Sequence, residues 1–277
     1  MKTRILLSPR RALALATAFS LVAVAVSPGF GSVDLDIGKA FGDWLGSWGT
    51  PKADWSVEAR ILSLRIPRIA LAWLAGGALA CTGAVLQSLL RNPLATPYTL
   101  GVAAAGSFGA FLLFAFPALA ASLPAFLAPH AHQAAALVFA LLEILLLLAA
   151  ASRAKRGDAL LLAGVTLNFL FGAGILLVRH LSDPLRLASM DRWLLGSLQD
   201  ASGARALALA LWTIPGIFLL ARRAPALDQL AFDEETASAR GISIAPVRRD
   251  LLLGCGLLTA VVVAHTGPIG FLGLLVP

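Results

Sequence analysis

The chain has 277 residues, of which 58% are hydrophobic and only 13% charged, with a formal net charge of +7. A soluble domain carries about 25% charged residues, so this composition excludes an ordinary soluble protein, and the positive excess reads as membrane-flanking Lys and Arg rather than nucleic-acid binding. Apolar runs of about twenty residues without strand-like alternation select an all-α, polytopic transmembrane helical bundle, because backbone in lipid is satisfied only in helices or closed barrels.

Residues 1–28 begin with Lys2, Arg4, Arg10 and Arg11 and continue into an apolar run from Ala12 to Val26. This layout also fits a secretory signal. Cleavage would leave the later basic loops outside, so the run is read as an uncleaved first helix with a cytoplasmic N-terminus. Residues 29–60 hold Trp44, Trp48 and Trp55 with Asp34, Asp36, Asp43, Asp54 and Glu58, which suits an external loop.

The second span follows Arg65, Pro67 and Arg68. Gly76, Ala80, Gly83 and Ala84 recur down it at steps of three and four, which places them on one face. Small residues admit a second helix closely. Gln87 falls on the same face, and a lone amide there needs protein or a wet path. Arg91-Asn92-Pro93-Leu94-Ala95-Thr96-Pro97 cannot continue a helix. Gly76, Ala80, Gly83, Gln87, Asn92, Pro93 and, further on, Asn168 are the candidate path or packing residues.

A third span is expected at 101–120, then an external loop at 121–132 whose His130 and His132 read as solvated. A fourth span covers 133–152 and carries Glu143, an intramembrane acid with no partner to name. Arg153, Lys155 and Arg156 mark an inner loop. The fifth span, 159–178, carries Thr166 and Asn168. An outer segment at 179–203 leads to a sixth span at 204–221. The polar stretch 224–247 lies between Arg222-Arg223 and Arg248-Arg249, which opens a seventh span ending near 264. Placing the basic clusters at 2–11, 153–156, 222–223 and 248–249 inside gives one consistent alternation, with Arg65 and Arg68 at the outer end of the second span. Cys81 and Cys255 both lie in apolar spans and read as small core residues.

Several of these stretches together resemble one family. They are R-x-P-R at 65–68, G-x-x-L-Q at 83–87, R-N-P-L-A-x-P-x-x-L-G at 91–101, W-x-x-G-S at 193–197 and G-x-I-G-F-x-G-L-x-x-P at 267–277. In this order they resemble the iron-chelate and vitamin B12 class of ABC importer permeases. That family's pattern continues past the last proline into further helices, about ten in all. The chain is therefore expected to be one transmembrane permease domain, 1–277, lacking its final portion.

The chain has no G-x-x-x-x-G-K-[ST], H-E-x-x-H or G-x-S-x-G pattern, so it is read as neither an ATPase nor another enzyme. Glu234-Glu235-Thr236-Ala237 can open a short helix, with acids at the positive end of its dipole, and Gly241 can stop it. This resembles the family's cytoplasmic coupling segment, E-E-T-A-x-x-x-G. Glu234, Glu235, Ala237, Arg240 and Gly241 are its candidate residues, although Arg240 stands where the family has an apolar residue. Arg65 and Arg68 read either as snorkelling anchors or, by the resemblance, as the arginines that receive acidic side chains of a binding protein, for which guanidinium forks are suited.

The resemblance implies a bacterial inner-membrane importer of an iron chelate, haem or corrinoid. It implies no cofactor on this chain, ATP hydrolysed by a separate subunit, a periplasmic binding protein and a second permease copy. The alternative is a secondary transporter or channel with no ATPase, which would need coupling carboxylates near the midplane.

Overall fold

A computed structural model describes residues 9–47, 51, 54–124, 127–153, 157–198, 201–232, 234–241 and 243–277. Lys155 and Arg156 of the expected inner loop lie outside the described residues. The helices in chain order are α1 (Pro9–Val26), α2 (Ile37–Gly46), α3 (Val57–Leu90), α4 (Val102–Ala115), α5 (Pro117–Ala121), α6 (Ala131–Arg153) and α7 (Gly157–His180). They continue with α8 (Pro184–Leu194), α9 (Gly203–Ala221), α10 (Ala224–Phe232), α11 (Glu234–Ala239), α12 (Ile244–Thr266) and α13 (Leu272–Leu275). No strand occurs among the described residues, and the chain is an all-α polytopic membrane bundle. Helices α3, α6, α7 and α9 are long and apolar enough to cross a membrane, and α4 is a shorter apolar helix.

The chain divides into two compact units, Met1–Trp73 with Ala201–Ala206, and Leu74–Asp200 with Leu207–Pro277. In the first, Asp36 caps α2 by accepting a hydrogen bond from the Lys39 N–H at 3.1 Å. Ser56 caps α3, accepting from the Ala59 N–H at 3.2 Å and donating to Asp43 at 2.8 Å. An N-terminal oxygen of this kind satisfies one of the donors that a helix start leaves open. These caps start α3 well before the R-x-P-R stretch. Pro67 therefore lies inside the helix rather than ahead of it, and the Ser63 carbonyl loses its partner one turn back. At 34 residues, α3 is about 50 Å long, longer than the hydrocarbon core.

The second unit is organised on α4, which packs against α6, α7, α8 and α12. Nine of its residues are buried, six of them Gly, Ala or Ser from Ala103 to Ala110. A Cβ on Gly109 would lie 2.5 Å from the Ala135 carbonyl oxygen, so the α4 and α6 backbones touch where a larger residue would hold them apart. The helix ends five residues short of the expected 120, because Pro117 keeps Phe116 out of helical geometry. His132 belongs to α6 rather than to a solvated loop: its ring stacks on Phe114 with centroids 4.1 Å apart. A layer of Leu86, Leu89, Leu227, Leu230, Leu251 and Leu258 joins α3, α10 and α12. By contrast, Phe169, Leu176, Leu211 and Trp212 on α7 and α9 are each more than 60% exposed, as lipid-facing or subunit-facing side chains must be.

The small-residue face of α3 is not uniform. A Cβ on Gly83 would overlap the Gly273 carbonyl oxygen, whereas one on Gly76 meets no atom within 4 Å. Gly83→Val is expected to lower the thermal midpoint of the purified protein by several degrees, because backbone must move to admit it. Gly76→Ala is expected to leave it unchanged or raise it slightly through helix propensity. Melting curves in detergent, followed by helical circular dichroism, distinguish the two.

Candidate functional site

The polar stretch between the sixth and seventh spans folds as α10 and α11. Arg223 and Arg249 flank it and meet on Asp250, at 2.7 and 3.2 Å, which closes its two ends together. Leu227 and Leu230 of α10 and Ala237 of α11 are buried, Ala237 completely, while Asp228 and Arg240 are exposed. Glu234 and Glu235 open α11. Its close uses the Arg240 N–H to Ala237 C=O bond at 3.2 Å and the Gly241 N–H to Ser238 C=O bond at 2.9 Å, with Gly241 at φ +82°. That is the left-handed region, which a Cβ disfavours. The segment is thus a bracket with a buried inner edge and an exposed outer edge.

The loop after α3 lies against the same core. Asn92 accepts the Leu94 N–H on its side-chain oxygen at 2.9 Å, so it builds a turn. Thr96 and Thr99 exchange backbone and hydroxyl hydrogen bonds at 2.9 and 3.1 Å. Pro93 is exposed. Gly101, at φ +98°, opens α4 where a Cβ would lie 3.0 Å from the Asn168 nitrogen. Asn168 is half-buried beside this turn. Ala80 is half-buried, and Gln87 donates to the Gly273 and Leu274 carbonyls, at 3.4 Å each. The amide therefore finds its partner in the last motif of the chain.

Arg91 is the residue the sequence reading passed over. Its guanidinium donates twice to the Leu230 carbonyl of α10, at 2.7 and 3.1 Å. The available signal was an arginine immediately after a helix end, where a cation meets unpaired carbonyls.

The two arginines of R-x-P-R separate. Arg65 donates to the carbonyls of Pro28 and Val33, at 2.7 Å each, and pins the turn after α1 to α3. Its fork is occupied within the chain. Arg68 is exposed. In the second unit the W-x-x-G-S stretch docks on the final motif: the Ser197 N–H donates to the Thr266 carbonyl at 2.7 Å, and Gly196, at φ +66°, sits against Pro268. Glu143 is completely buried on α6, with no hydrogen-bond partner for either oxygen among the described residues. No group of three or more His, Cys, Asp or Glu that could hold a metal occurs among them either.

The profile of the FecCD transport family matches residues 18–277. The chain belongs to that family. It is 38% identical to the vitamin B12 import system permease protein of Vibrio cholerae over 233 residues, covering 83% of this chain and 68% of that one. It is 34% identical to the hemin transport system permease protein of Yersinia pestis over 234 residues, with 83% and 68% covered. A Methanocaldococcus jannaschii ABC transporter permease is 36% identical over 222 residues, and the match spans 78% of this chain and 64% of that protein's length. Among solved structures, an inward-facing metal-chelate type ABC transporter superposes with a TM-score of 0.80 at 27% identity, covering 96% of this chain and 79% of that one. The FecCD family is one of transport permeases, not enzymes.

The different surroundings of Arg65 and Arg68 give a direct test. Arg65→Ala removes two charge-assisted hydrogen bonds, each worth about 1.5–3 kcal/mol, and should expose the 27–33 turn to limited proteolysis. Arg68→Ala should leave the cleavage pattern unchanged. Equal protection of the turn in both variants would show that Arg65 does not hold it.

Proposed function

We propose that this chain is the membrane-spanning subunit of a bacterial ABC importer for an iron chelate, haem or corrinoid. In this reading a separate ATPase supplies the energy, a periplasmic binding protein delivers the substrate, and a second permease copy completes the path in the inner membrane. The observation that carries it is the α10–α11 bracket, with its buried Leu230 and Ala237, exposed Arg240 and left-handed Gly241. A short helix anchored on the bundle core by one edge has its other edge free for a partner. Rigid anchoring is what lets it pass on motion, since a segment that deforms absorbs the displacement instead.

Family membership favours this reading over a self-sufficient secondary transporter, for which Glu143 is the only support. The bracket is assigned to the cytoplasm because Arg222, Arg223, Arg248 and Arg249 border it. On that orientation the turn after α1 and the W-x-x-G-S stretch face the periplasm. Arg68 becomes the docking residue for acidic side chains of the binding protein, while Arg65 supports the turn beside it. The similar proteins named for vitamin B12 and hemin motivate the substrate class. The small and apolar candidate path residues do not narrow it further.

Three results are expected of the complete gene product. In a background lacking Cys81 and Cys255, a cysteine at 240 should resist an impermeant thiol reagent in intact cells, and one at 120 should react. Affinity-purified protein should bring down an ATPase subunit. Gly241→Val should retain that subunit but lower substrate uptake into vesicles severalfold, because the β-branched residue resists the left-handed close. Normal uptake by the valine variant would reduce the bracket to a passive loop, and outside labelling at 240 would invert the orientation.

A further inference from the structure

We infer that Arg91 is the positioning residue that locks the α10–α11 bracket to the end of α3, an assignment that rests on the coupling role proposed for that bracket. The starting observation is a mismatch between residue type and backbone. Helix α3 closes with two hydrogen bonds, the Asn92 N–H to the Gln87 carbonyl at 3.1 Å and the Arg91 N–H to the Ser88 carbonyl at 3.4 Å. This is the paired pattern of a Schellman close. The residue that makes the turn in such a close is left-handed, and glycine is its usual occupant because it has no Cβ. Here that residue is Arg91, at φ +49°. A non-glycine residue held in this region signals that its side chain is used.

The use is the Leu230 carbonyl. Nε and Nη2 of Arg91 reach it at 3.1 and 2.7 Å. Leu230 stands in the last turn of α10, where carbonyls have no partner within the helix and the dipole presents its negative end to a cation. Around this joint the contacts are apolar: Leu89 and Leu90 of α3, Ala237 of α11, and Val247 and Leu251 of α12 share one core with Leu230. Apolar burial is non-directional and by itself lets one helix slide on another. A guanidinium on a single carbonyl fixes both distance and angle. The ion pairs of Asp250 engage Arg223 and Arg249 rather than Arg91, and the joint at Leu230 is a directional link from the bracket to α3. Displacement of α11 is carried through it into the helix that bears Gly83 and Gln87.

The residue types make the test unusually clean. Arg91→Gly removes the guanidinium but favours the left-handed close, so the end of α3 survives. Arg91→Lys keeps a cation but loses the two-pronged fork that Nε and Nη2 place on one carbonyl. Each variant is made in the complete gene product, assembled with its ATPase in nanodiscs and supplied with loaded binding protein. Arg91→Gly is expected to match the wild type in thermal midpoint, ATPase capture and basal hydrolysis. Its stimulation by loaded binding protein should fall about tenfold, the equilibrium weight of one charge-assisted hydrogen bond, and Arg91→Lys should recover part of the loss. Full stimulation in Arg91→Gly overturns the assignment. So does a fall in capture or thermal midpoint that accounts for the loss, since Arg91 would then only hold the fold together. If the wild-type chain captures no ATPase, the proposed function fails and the role of Arg91 fails with it; capture with full stimulation in Arg91→Gly removes only the latter.

Discussion

The last four carbonyls of an α-helix have no partner inside it, and hydrocarbon offers no water to replace one. A chain that breaks its helices as often as this one meets the problem at every break. It answers with long polar side chains sent from another element. Arg65 of α3 serves Pro28 and Val33 after α1, and Arg91 serves Leu230 in α10. Gln87 serves Gly273 and Leu274 in α13, and Arg186 of α8 serves Ala115, the last residue of α4. Each bond meets the open carbonyls of one element and fixes where another lies. In a bundle whose core contacts are apolar, these donors add direction to the packing, as do the Arg223–Asp250 ion pair and the Ser197 to Thr266 hydrogen bond.

The apolar part of the structure works by closeness instead. Lipid is as apolar as leucine, so burying leucine between membrane helices gains little over leaving it in lipid. What separates a packed face from a lipid-facing one is how near the backbones come. Gly109 against Ala135, Gly83 against Gly273 and Gly164 against Leu100 are such approaches, each closed to a Cβ. Gly76, Gly77 and Gly172 have open space where a Cβ would be. A glycine stripe in the sequence is therefore permission for contact, and contact follows only where a second element arrives.

This explains what could be read in advance. The long helices were legible because their apolar runs exceed any loop's, and the bracket at 224–241 because its acids and glycine sit at helix-end positions. Pro67 misled, because a proline inside a helix and one before it look alike until Ser56 is known to cap about two turns of helix ahead of the R-x-P-R stretch. His132 misled because its neighbour Phe114 is remote in sequence. Arg65 read better as a docking residue than as an anchor, since the carbonyls of Pro28 and Val33 that engage it have no side-chain signature. Arg91 was overlooked for the same reason: its acceptor is a backbone oxygen more than a hundred positions away. Side-chain-to-carbonyl bonds of this kind leave a mark on only one of the two partners.

The left-handed residues show what the recognisable motifs encode. Among the described residues these are Arg91, Gly101, Gly196, Gly241, Gly267 and Phe271. All six lie in the stretches that resemble the family pattern: the R-N-P run, W-x-x-G-S, the E-E-T-A segment and the closing G-x-I-G-F. Each stands at a helix end or in a turn, where the chain must reverse without an unpaired carbonyl left behind. The motifs are thus instructions for the joints of the bundle. Joints must keep one geometry whatever passes between the helices, and a left-handed position admits few residue types. A path lining is free of that constraint, because many small or apolar side chains leave an equally passable surface. That is why the sequence declares the architecture of the transporter so plainly and its cargo so little.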